Sequence, residues 1–108
     1  MEKRYGDKFI LPVVATEFAG TCLLVLAANL AGSDTLVVAL TYFALIVCCY
    51  EVSGGHLNPA VSVGVYIAEK RYSHNLLFMI IIVIGQVVGG LFGLGFGYLI
   101  RVTVPKDE

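Results

Sequence analysis

Charge is scarce in this sequence. Only 14% of its 108 residues are Asp, Glu, Lys or Arg, against 58% hydrophobic. Soluble domains carry about a quarter charged residues, so composition excludes that class and points to an integral membrane protein. Net charge is −1 and no run of Lys and Arg forms a basic patch, which excludes nucleic acid as a partner. Cysteine is limited to Cys22, Cys48 and Cys49, an odd number whose spacing fits neither a disulfide framework nor a metal site. They read as reduced packing residues inside apolar runs. A clean small-x-small cleavage site is also missing after the first apolar run, which is too long for a signal-peptide core and carries Glu17. That run therefore reads as a span. Nothing in the pattern calls for a catalytic residue, a metal or a cofactor, and an enzyme is not expected.

What is present is apolar sequence cut into lengths. Residues 12–31, 35–50 and 75–102 are expected as three transmembrane helices, since about 20 residues cross a roughly 30 Å hydrocarbon core. Gly32, Ser33 and Asp34 form a short turn between the first two. Polar residues and glycines then interrupt the hydrocarbon at Ser53-Gly54-Gly55-His56-Leu57-Asn58-Pro59-Ala60-Val61-Ser62. Asn is a favoured N-cap and Pro a favoured first helical residue, so Asn58-Pro59 reads as a helix start. The run from 59 to 68 would extend about 15 Å, half a crossing, before Glu69-Lys70-Arg71. The expected fold class is an all-α membrane protein with three transmembrane helices plus one re-entrant half-helix, over residues 1–108 as one unit. Lys3, Arg4, Lys8, Lys70 and Arg71 would share one membrane face, with Arg101 and Lys106 on the other. Five against two places the N-terminus of a multi-pass protein in the cytoplasm.

The ten residues 53–62 resemble the first signature loop of the aquaporin (major intrinsic protein) family, with Asn58, Pro59 and Ala60 as its Asn-Pro-Ala motif. Ten residues in register between a full span and a half-length one make the likeness specific. It extends over nearly the whole chain but only over the first, N-terminal of the family's two repeats. The resemblance implies a passive channel for water and small neutral solutes such as glycerol, in an oligomer that the family builds as a tetramer.

Individual residues take roles on that basis. Asn58, as N-cap, would accept from the first helical turn and keep its amide NH₂ for a passing water. The positive end of the half-helix sits at the same point in low dielectric and would repel cations. Gly54, Gly55, His56 and Leu57 precede the half-helix in irregular backbone, which membranes tolerate only when it is buried in protein or faces a wet cavity. Their carbonyls are candidate acceptors for water hydrogens, and the resemblance implies the same ladder. Glu17, in Glu17-Phe18-Ala19-Gly20-Thr21, is costly inside a span unless partnered. It resembles the family's first-span glutamate, which accepts hydrogen bonds from loop backbone, and Gln86 resembles a third-span residue that braces the loop. The resemblance also places the second-span constriction residue twenty positions before Asn58, at Val38. Water-selective members usually have a bulky aromatic residue or His there, and many glycerol channels an aromatic; Val38 departs from both patterns and implies a wider filter. Gly85, Gly89, Gly93 and Gly97 recur every fourth residue on one helix face. They form a small-residue ladder for close packing, within the fold or against another subunit.

The family's second Asn-Pro-Ala and its filter arginine have no counterpart here, and Arg101 does not fit that role. The expected partners are therefore the bilayer and either a second channel half or another copy of the chain. A non-conducting truncated subunit, assembling with full-length channels through the Gly85–Gly97 face, is the alternative. A proton- or ion-coupled transporter working through Glu17 and His56 is a third class.

Overall fold

The structure, a computed structural model, describes residues 10–32, 34–69 and 72–105. Four helices follow one another: α1 (Ile10–Ala31), α2 (Thr35–Ser53), α3 (Pro59–Glu69) and α4 (Tyr72–Thr103). Three of them are long and apolar enough to cross a membrane: α1, α2 and the Leu76–Thr103 part of α4. The protein is an all-α membrane protein. The Lys and Arg residues at 3, 4, 8, 70, 71 and 106, on which the orientation rests, lie outside the described residues.

Helix ends follow local chemistry. α1 begins at Ile10, ahead of Pro12, because the first-turn N–H groups have no intrahelical partner and proline loses nothing there. Asp34 caps α2, its side chain accepting from the Val37 N–H at 3.2 Å. α2 runs on to Ser53, past the expected end at 50. Gly54 then turns it with φ 90°, its N–H donating to the Tyr50 carbonyl, a left-handed C-terminal stop that suits glycine. At the far end of α1, the Arg101 guanidinium donates to the Asn29 carbonyl. A cation there satisfies an orphan carbonyl and complements the helix dipole.

α1 is the central helix. It packs against both α2 and α4, α3 packs against α4, and among the described residues α2 touches neither α3 nor α4. Val13, Phe78 and Ile82 form a small apolar core with Ile10 and Val14 against it. Cys22 and Cys49 are buried, as packing residues should be, whereas Cys48 is exposed on α2.

The glycine ladder faces inward. A Cβ on Gly85 would lie 3.0 Å from the Val14 side chain, and one on Gly93 would lie 2.5 Å from the Cys22 carbonyl. One on Gly89 would collide with the Phe18 carbonyl, and one on Gly97 would meet Asn29 at 2.9 Å. The four glycines are thus the seat of α1 within the chain. That corrects the expectation that this face could receive another subunit: α1 already covers it.

Gly95 has open space where its Cβ would go. Gly89→Val should therefore lower stability by about 1–3 kcal/mol through overpacking. Gly95→Ala should be neutral or stabilising by up to about 1 kcal/mol through helix propensity. Unfolding midpoints in detergent, followed by circular dichroism, check both; equal effects at the two sites would refute the packing assignment.

Candidate functional site

The link between α2 and α3 is five residues long, 54–58, and the N–H groups of its middle residues, Gly55, His56 and Leu57, are bound by side chains. Glu17, fully buried on α1, is the anchor. Its Oε2 accepts from Ser53 Oγ at 2.5 Å and the His56 N–H at 3.1 Å. Its Oε1 accepts from the Leu57 N–H at 2.8 Å and Gln86 Nε2 at 2.7 Å. Four donors meet the full acceptor capacity of a carboxylate. Ser53 relays the same anchor, since its Oγ also accepts from the Gly55 N–H at 3.2 Å.

These bonds orient the carbonyls. No peptide bond is cis, and in a trans peptide the N–H and the preceding C=O point in opposite directions. The N–H groups of Gly55, His56 and Leu57 all turn toward Ser53 and Glu17. The Gly54, Gly55 and His56 carbonyls therefore turn the other way, together. The Leu57 carbonyl belongs to the next peptide, and no bond of this set fixes it. Among the described residues no donor reaches the Gly54, Gly55 or Leu57 carbonyls, while Tyr42 Oη donates to the His56 carbonyl at 3.0 Å.

Two backbone features make the turn. Gly55 has φ 67°, and a Cβ there would stand 3.1 Å from the Ile46 carbonyl. Leu57 has φ 54°, rare for a residue with a side chain. Its side chain is 2% exposed and fills the slot left by Gly20, where a Cβ would collide with it. Burial in that slot offsets the left-handed conformation.

α3 starts as its sequence dictates. Asn58 Oδ1 accepts from the Ala60 N–H at 2.8 Å, its carbonyl accepts from Ser62 at 3.1 Å, and Pro59 takes the first helical position. Asn58 is half-buried, and among the described residues nothing accepts from its amide NH₂. Ser62 Oγ lies 2.9 Å from both His56 Nδ1 and Gln86 Nε2, which ties α3 to the loop and to α4. Gln86 uses both amide hydrogens and leaves Oε1 buried without a donor among the described residues. A cavity of about 20 Å³, room for one water, lies beside His56, Ser62 and Tyr66. Val38 is half-buried on the inner face of α2, one turn before Tyr42.

The structure thus gathers Glu17, Gln86, Asn58 and residues 54–57 in one cluster, with Val38 a turn away from it along α2. Sequence reasoning missed Tyr42 and gave no role to Ser53 or Gly20, although both lie in the quoted motifs. The signals were there but faint: a phenol in an apolar span needs a partner, and Gly20 shares the short motif of Glu17.

A polytopic membrane protein whose half-length helix starts from a carboxylate-held loop is the class that fold and site define. The profile of the family described as "Major intrinsic protein" matches residues 8–107, and the chain belongs to that family. Among curated relatives, it is 39% identical over 54 residues to a probable aquaporin PIP2-4 of Arabidopsis thaliana (50% of this chain, 18% of the relative). It is 38% identical over 68 residues to an aquaglyceroporin of Toxoplasma gondii (63% and 25%). It is 40% identical over 65 residues to aquaporin PIP1-1 of Arabidopsis thaliana (60% and 21%). The chain thus covers a quarter or less of the length of these relatives. No solved structure matches it.

Removing the anchor should release the loop. Glu17→Ala strands four buried donors, at about 1–3 kcal/mol each before relaxation. Amide hydrogen exchange at His56 and Leu57 should speed up strongly in Glu17→Ala and less in Glu17→Gln, which keeps one acceptor oxygen. Unchanged protection in Glu17→Ala would show that something else holds these amides.

Proposed function

We propose that the chain forms one wall of a membrane channel for passive flux of water and small neutral solutes, and is not an enzyme. The observation that carries this reading is the divided loop: its N–H groups are bound on one side and three consecutive carbonyls are presented on the other. In hydrocarbon, the Gly54 and Gly55 carbonyls, which no donor reaches among the described residues, would each cost several kcal/mol; a file of water meets them. Asn58 adds a donor at the same place, at the positive end of α3, which favours water oxygen and disfavours cations. In this role α3 is a re-entrant half-helix, and the N-terminus lies in the cytoplasm. Glycerol is included because the small Val38 side chain leaves room for it and because the Toxoplasma gondii relative is an aquaglyceroporin. The wall is completed by a second channel half or by another copy of the chain, within an oligomer. Glu17 holds the loop in this reading, its two oxygens accepting from Ser53, His56, Leu57 and Gln86.

The test is stopped-flow osmotic response of proteoliposomes holding the protein, purified together with any chain that co-assembles with it. Added water permeability is expected, and Asn58→Asp should weaken cation exclusion. Val38→Phe should lower glycerol flux by roughly tenfold relative to water, by narrowing the passage. Correct insertion without added flux would overturn the channel reading in favour of a non-conducting subunit.

A further inference from the structure

Tyr42 reaches the loop from a helix that touches neither α3 nor α4 among the described residues. The carbonyl it binds, that of His56, belongs to the same peptide unit as the Leu57 N–H, which Glu17 holds at 2.8 Å. Glu17 and Tyr42 therefore grip one peptide plane from opposite edges. Tyr42 stands on the side to which the Gly54 and Gly55 carbonyls also turn. That is the side the proposed passage occupies.

The bond changes what that carbonyl offers. A carbonyl oxygen has two lone pairs, and the phenol takes one at 3.0 Å. A passing molecule must displace the phenol, share the carbonyl with it, or bond the phenol oxygen instead. Bulk matters too. Val38, Tyr42, Ile46 and Cys49 form the inward stripe of α2, and Tyr42 is its large member. Where Val38 leaves room, Tyr42 removes it one turn further on.

We infer that Tyr42 is a specificity-determining residue of the proposed passage: its phenol holds the His56 carbonyl and narrows the path beside the loop, favouring water over larger polyols. The inference rests on the channel reading and adds to it where discrimination is made.

The experiment compares the parent protein with Tyr42→Phe and Tyr42→Val in the same proteoliposomes, using water under a sucrose gradient and glycerol as probes. The glycerol-to-water permeability ratio should rise by roughly 2- to 10-fold in Tyr42→Phe, the span of one hydrogen bond's net contribution. It should rise further in Tyr42→Val. In parallel, protein labelled with ¹³C at the histidine carbonyls should show a band moving to higher frequency in the Tyr42→Phe difference spectrum. A residue that only braced the loop would lower both fluxes in proportion and leave the ratio alone, which would overturn the inference while the parent still conducts. An unmoved carbonyl band would overturn it as well. No flux from correctly inserted parent would sink the channel reading, and the inference with it.

Discussion

One carboxylate sets the geometry of everything around it. A chain that leaves a helix inside hydrocarbon must find partners for its backbone N–H groups, because water is absent and each unmet group costs several kcal/mol. Glu17 supplies two acceptors in the place where the 54–58 turn needs them and recruits Ser53 to serve a third N–H. Burying an acidic side chain on a central helix is expensive by itself. It becomes tolerable here because the four groups that need an acceptor are the groups that surround it. The same bonds dictate polarity: once three consecutive N–H groups face Glu17 and Ser53, peptide planarity sends three carbonyls the opposite way.

That arrangement depends on how closely α1 approaches its neighbours. Gln86 can reach both Glu17 and Ser62 because α4 rides against the α1 backbone along Gly85, Gly89, Gly93 and Gly97. Leu57 can sink beside α1 because Gly20 leaves a slot for it. Missing side chains and the buried charge are therefore parts of one device. The ladder brings helices within hydrogen-bonding reach, and the polar cluster uses that reach. Apolar contact between α1 and α4 adds a small core of Val13, Phe78 and Ile82 and the edge-to-face pair Phe18–Phe92 at 5.4 Å.

Much of this could be read from residues alone, for physical reasons. An Asn-Pro start, a half-length apolar run and an acidic residue in a span each leave a pattern that composition cannot hide. Three helices long enough to cross, and a short one starting at Pro59, stand in the structure. Other features left no such mark. The glycine ladder announced close packing but not its partner, because a stripe of absent side chains fits any helix. Ser53 gave no sign of its role because a short hydroxyl on a membrane helix can also bond its own backbone, as Thr41 and Thr103 do; the Tyr42 phenol signalled a need for a partner but not which one. α2 runs three residues past the expected end at 50, because the residue that stops it is Gly54 in the left-handed conformation.

The two faces of the loop are unequal, and the inequality constrains what can stand against each. The N–H face is closed: its donors are bound, and Glu17, Ser53 and Gln86 are each at most 1% exposed. On the carbonyl face Tyr42 donates to the His56 carbonyl, from a helix that leaves α3 and α4 untouched among the described residues. An apolar neighbour seated there would leave acceptors unmet, whereas a column of hydroxyl-bearing molecules would satisfy each in turn and release it again. Conduction needs bonds good enough to enter on and weak enough to leave. In the proposed channel, a fixed row of carbonyls, held from behind so that it need not reorganise as each molecule passes, would meet that condition in a way that lipid or a packed helix would not.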